Sequence, residues 1–172
     1  IFDYKKVKTP KTKKEILNTI YKLIQSYIKN KKPNCIYVAV AGFQLDGHVI
    51  YSPNSDFSDV NLKKLLEKKF KTKVKVGNDA SCAGLAELYY WKGKGKKNFV
   101  LITLGTGIGG AVIIDGKLYK GEGMASEPGH IIINKRMFEE LASGKASIEL
   151  AEKHGLKGLS SFEIEELAYK KD

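Results

Sequence analysis

The sequence predicts an α/β fold in two lobes, and three stretches carry that prediction. Thr12-Lys13-Lys14-Glu15 is a capping box that opens an amphipathic helix, and the apolar run CIYVAVA after it has the length of a strand. Residues 60–70, 74–76 and 80–91 then alternate helix, strand and helix. Residues 100–104, 111–114 and 117–120 are β-rich runs joined by a glycine turn and by Asp115-Gly116, a two-residue hairpin signal, so they form a β-meander.

Taken in order, residues 1–7 alternate weakly and predict an edge strand that ends at Thr9-Pro10. Ile16, Leu17, Ile20, Leu23, Ile24, Tyr27 and Ile28 recur at helical spacing with lysines opposite, which predicts a helix over 13–29. The strand at 35–41 is apolar throughout, as expected where both faces are covered. Residues 42–59 are loop-rich, with a hairpin expected at Asp46-Gly47. Asp59 is expected to cap the 60–70 helix, whose apolar stripe is Leu62, Leu65, Leu66 and Phe70. The 80–91 helix opens with small residues that permit close approach to a neighbour, and Tyr89, Tyr90 and Trp91 at its end are expected in core or interface packing. Residues 92–97 are a basic Gly/Lys linker and set the lobe boundary, giving lobes of 1–95 and 96–172. Beyond the meander come a loop at 121–129, a strand at 131–133 and helices at 145–154 and 162–170, the last opened by a Ser160/Glu163 capping box.

Composition narrows the function. A hydrophobic fraction of 42% without any long uncharged apolar run points to a soluble globular protein and away from membrane partners. Residues 1–10 carry charge throughout, so no signal peptide is expected. The net charge of +11 would suit a polyanion, but it is lysine spread along every segment, with Arg136 the single arginine. Base-reading surfaces favour arginine, so nucleic acid is not an expected partner. Cys35 and Cys82 read as reduced core thiols, which suits a cytoplasmic protein.

Two motifs carry chemistry. Gly105, Gly107 and Gly110 match the spacing G-x-G-x-x-G, but a strand follows where a dinucleotide fingerprint needs a helix, which excludes a Rossmann reading. Two roles remain open for the turn: a tight hairpin that needs positive φ, or a cradle whose amides and Thr106 hydroxyl hold an anion. Asp79 is likewise open between helix N-cap and proton acceptor. Its neighbour Asn78 places two polar side chains at the carboxyl end of a strand, where open α/β sheets bind ligands.

VGNDASCAGLAE and NFVLITLGTGIGGAVIIDGKLYKGEGMASEPGH resemble the ROK family (repressors, open reading frames, kinases) of the actin-like ATPase superfamily, over about residues 35–144. The resemblance implies an actin-like ATPase (ribonuclease H-like) fold, two lobes with mixed sheets, incomplete at both ends. It implies ATP-dependent phosphorylation of a hexose with Mg²⁺, as in glucokinases. Asp79 corresponds to the general base, and Gly105, Thr106, Gly107, Gly109 and Gly110 to the turn that contacts the ATP phosphates. Asn54, Asn78, Glu127, His130 and Glu139 correspond to sugar ligands. Read from their own surroundings, Asn54 is a turn former and His130 a core or surface histidine. Family members are often dimers, so a homodimer is among the expected assemblies.

The chain departs from that family in three ways. It begins after the point where a D-x-G-G-T phosphate hairpin should lie. Residues 131–138 lack the cysteines with which many members bind zinc, so zinc is not expected. The relatives also continue well beyond residue 172. A fragment, or a chain with a loop left out between Asn134 and Lys135, is therefore expected. The family's repressors offer a second function class, a sugar-sensing domain without kinase activity, and a catalytically dead partner-binding relative is a third.

Overall fold

The computed structural model describes residues 4–28, 32–53, 55–122 and 125–170. The chain forms two compact units, Ile1–Cys82 and Ala83–Asp172, which part inside one helix, upstream of the basic stretch at 92–97.

In the first unit, residues 4–10 have no regular structure, and residues 1–3 of the expected edge strand lie outside the described residues. Thr12 and Glu15 form the capping box, the Thr12 hydroxyl donating to Glu15 Oε2 at 2.8 Å, and α1 (Lys13–Ile28) follows. Strand β1 (Cys35–Val40) leads into a hairpin of β2 (Phe43–Leu45) and β3 (His48–Tyr51). Asp46 and Gly47 both take positive φ, +49° and +88°, the geometry of a primed two-residue turn. A two-residue strand, β4 (Val60–Asn61), pairs with β3 before α2 (Leu62–Phe70) begins. That insertion corrects the expected cap. Asn61, not Asp59, accepts from Lys64 N, while the Asp59 carboxylate lies 2.9 Å from His48 Nε2.

Strand β5 (Lys73–Asn78) pairs in parallel with β1, from Cys35 opposite Lys73 to Val40 opposite Asn78. Ile16, Val49, Phe57, Val60, Leu62, Leu66 and Val74 form the core of this unit. Strand β1 is not covered on both faces: its residues alternate, and the face carrying Cys35, Tyr37 and Ala39 is exposed. Among the described residues the β1–β5 pair has core on one side only.

The helix α3 (Asp79–Tyr90) leads into the second unit. A Cβ at Gly84 would lie 2.3 Å from the Ala111 Cβ, so the small residues of α3 do permit the close approach expected of them. Tyr89, Tyr90 and Trp91 are exposed, so of the core and interface placements expected for them the structure excludes the core. Strands β6 (Phe99–Leu104), β7 (Ile108–Ile114) and β8 (Lys117–Tyr119) form the antiparallel meander. After it come a 3₁₀ turn at Pro128–His130 and a hairpin of β9 (Ile132–Ile133) and β10 (Arg136–Met137). Asn134 and Lys135 close this hairpin with φ of +50° and +66°, forming a two-residue turn.

A short helix that periodicity did not signal, α4 (Phe138–Ala142), precedes α5 (Gly144–Lys153) and α6 (Ser161–Tyr169). The Ser160/Glu163 box forms, with Ser160 N donating to Glu163 Oε2 at 2.7 Å; these bonds from Ser160 hold the exposed Glu163 carboxyl below its ordinary pKa. Among the described residues no helix is long and apolar enough to cross a membrane.

Candidate functional site

The first part of the candidate site is the corner where β5 becomes α3. Asn78 is the last residue of the strand, and its Oδ1 accepts from Ser81 N at 2.9 Å, so Asn78 caps the helix. Its Nδ2 donates to Gly42 O at 3.2 Å, tying the corner to the segment that leaves β1. The Asp79 Oδ1 accepts only the adjacent Ala80 N, at 2.9 Å, among the hydrogen bonds resolved for it, and the residue is exposed. Capping is thus settled in favour of Asn78, and the Asp79 carboxylate is presented to solvent at the amino end of a helix. Asn78→Ala should cost about 0.5–2 kcal/mol of stability through the lost cap, measured by urea denaturation.

Behind the corner, a Cβ at Gly77 would lie 2.8 Å from the Tyr37 hydroxyl and 3.0 Å from Cys82 Sγ. Burial of that hydroxyl, and then the neighbouring Cys82, raises the Tyr37 pKa above its ordinary value, so it stays a neutral donor. Asn54, the remaining candidate in this unit, lies outside the described residues. Phe57, close by in sequence, is a buried core residue and not part of an open face.

The second part is the glycine turn between β6 and β7. Gly105 N donates to Gly107 O at 3.0 Å, closing the turn. Gly105, Gly107 and Gly110 do not take left-handed φ, which removes the need for positive φ as the reason for glycine here. At two of them a side chain would meet close neighbours. A Cβ at Gly107 would meet Glu139 Oε2 at 2.6 Å, and one at Gly110 would meet Pro128 at 2.9 Å. At Gly105 a Cβ would meet nothing within 4 Å, so open space faces its backbone. Gly109 and Gly110 lie in the β7 ladder, opposite Thr103 and Ile102, and only Gly105, Thr106 and Gly107 form the turn itself.

The third part gathers Glu127, His130 and Glu139 within the second unit. Glu127 and His130 flank the 3₁₀ turn, with His130 N donating to Glu127 O at 3.2 Å. Glu139, in the first turn of α4, places Oε1 at 4.0 Å from His130 Nε2 and accepts from Ile108 N through Oε2 at 3.3 Å. The link from Glu139 to Ile108 has no counterpart in sequence periodicity, since the two are 31 residues apart.

A three-cysteine zinc site does not fit this segment. The tight β9–β10 hairpin carries no cysteine, and the chain's two cysteines, Cys35 and Cys82, belong to the first unit. Among the described residues no group of three or more His, Cys, Asp or Glu could hold a metal ion.

The polar corner at a strand end and the glycine turn between strands are features of a mixed α/β chain, and comparison with solved structures puts that chain in the class of actin-like ATPase folds. The structure of a glucokinase from Streptomyces griseus, solved with glucose and AMPPNP, superposes with a TM-score of 0.76 at 30% identity, over 87% of this chain and 52% of that one. The family model of the ROK family matches residues 1–172, and the chain belongs to that family. A glucokinase of Streptomyces coelicolor is 33% identical over 159 residues, 85% of this chain and 50% of its own. A xylose repressor of Caldicellulosiruptor bescii is 29% identical over 141 residues, 77% of this chain and 35% of its own. The chain spans about half the length of the glucokinase relatives it matches.

Proposed function

We propose that the protein is an ATP-dependent hexose kinase in which Asp79 is the general base. The observation that supports this most is the division of labour at the β5–α3 corner, where Asn78 holds the helix end and the Asp79 carboxylate is left exposed. Asp79 takes the proton of the attacking sugar hydroxyl as that oxygen meets the γ-phosphorus of Mg·ATP. Phosphoryl transfer depends on positioning and charge stabilisation more than on covalent chemistry. In this reading the backbone of Gly105, Thr106 and Gly107 receives the phosphates, and Gly109 and Gly110 shape the strand that follows. Asn54, Asn78, Glu127, His130 and Glu139 hold sugar hydroxyls, an assignment that rests on the motif resemblance. Magnesium enters with the nucleotide, as is usual where phosphates supply most of its ligands, and counters their charge.

The similarity to a xylose repressor favours a second reading, a sugar-sensing domain that binds without phosphorylating. A coupled ADP-release assay of the intact protein, run over a panel of hexoses with Mg·ATP, separates the two. Release above the sugar-free background with at least one hexose is the expected result. Sugar binding without ADP release would favour the sensor.

A further inference from the structure

The segment spanning α4 and the start of α5 grips the glycine turn at both ends. On the entry side the Gly105 carbonyl accepts from Gly144 N at 2.8 Å, and on the exit side Ile108 N donates to Glu139 Oε2 at 3.3 Å. The same carboxylate oxygen stands 2.6 Å from where a Cβ of Gly107 would be and 3.1 Å from where a Cβ of Gly129 would be, while the other oxygen of that carboxylate faces the His130 ring. Gly129 in turn leaves no room for a side chain, since a Cβ there would lie 2.2 Å from the Ile108 carbonyl oxygen. One half-buried carboxylate therefore touches the exit of the turn with one oxygen and the His130-bearing turn with the other.

We infer that Glu139 is a positioning residue that couples the glycine turn to the Glu127–His130 segment, so that filling either ligand site changes the affinity of the other. This rests on the kinase reading for the identity of the two ligands. A sugar that engages His130 and Glu139 Oε1 restrains the carboxylate, and the restrained Oε2 holds Ile108 N and with it the backbone that receives phosphate. Reciprocity follows from thermodynamics: nucleotide must raise sugar affinity by the same factor as sugar raises nucleotide affinity.

The test uses the intact protein, glucose and AMPPNP, with each affinity measured alone and in the presence of the other ligand. In the wild type the two should enhance each other by an equal factor of at least about fivefold. Glu139→Ala should weaken AMPPNP binding in the absence of sugar. Glu139→Gln, which keeps an acceptor oxygen for Ile108 N, should restore most of it, whereas a general loss of folding would show as a lowered melting temperature in both variants. Gly107→Ala should weaken glucose binding in the absence of nucleotide, because its methyl displaces the carboxylate. Independent binding in the wild type, or AMPPNP affinity unchanged in a folded Glu139→Ala protein, overturns the coupling. A wild type that binds AMPPNP and neither glucose nor any other hexose counts against the kinase reading instead, and the effect of Glu139→Ala on AMPPNP still decides whether the carboxylate holds the turn.

Discussion

Asp79→Asn is expected to lower hexose phosphorylation by about 10²–10⁴-fold, the usual contribution of a positioned general base, while leaving sugar affinity largely intact. The amide is nearly isosteric with the carboxylate and can still accept from Ala80 N through its oxygen, so the α3 start is preserved. Asn78 supplies the cap to Ser81 N independently of residue 79, so loss of turnover would not be explained by a frayed helix. The measurement is kcat by coupled ADP release, alongside equilibrium sugar binding on the same preparation. A variant that phosphorylates at the wild-type rate would sink the assignment of Asp79.

Leu66→Ala carries the largest expected effect on stability, about 2–5 kcal/mol, the range for removing a fully buried leucine and leaving a cavity. Leu66 is wholly inaccessible to solvent and belongs to the same cluster as Leu62, Val49 and Val74. Val74 lies on β5, the strand that ends in Asn78, so the apolar core of the first unit also fixes where the Asp79 corner stands. Urea denaturation of the variant should show a lower midpoint at an unchanged slope. A shift of only a few tenths of a kcal/mol would mean that the α2–β5 packing contributes little to this unit.

Local signals in the chain predicted most of the elements correctly, because their physics is local. The capping boxes at Thr12 and Ser160 each need only four consecutive residues, and both form. Asp46-Gly47 and Asp115-Gly116 each close a hairpin with positive φ at both turn positions, as their sequences require. Where prediction erred, distant residues decided. Asp59 lost the cap role because β4 needed Val60 and Asn61 to pair with β3, a contact that nothing in residues 59–62 announces. The expected two-sided cover of β1 failed for the same reason, since cover comes from other parts of the chain.

The candidate site divides in the same manner. The asparagine-aspartate pair, the glycine turn and the Glu-x-x-His motif are each short and contiguous in the chain, so they are legible there as the motifs that carry the family resemblance. Which member of the pair caps the helix depended on three-dimensional placement, with Gly42 O at hand to hold the other side of the Asn78 amide. What a side chain at 107 would meet likewise lay 32 positions downstream, in a carboxylate that only the folding of α4 against β7 brings near. Sequence by itself determined an α/β chain, because short-range pattern signals its elements, and its motifs carried the resemblance that names the family. The tertiary structure alone decided what else the candidate side chains hold, because the bonds from Asn78 Nδ2 to Gly42 O and from Ile108 N to Glu139 Oε2 join groups far apart in the chain.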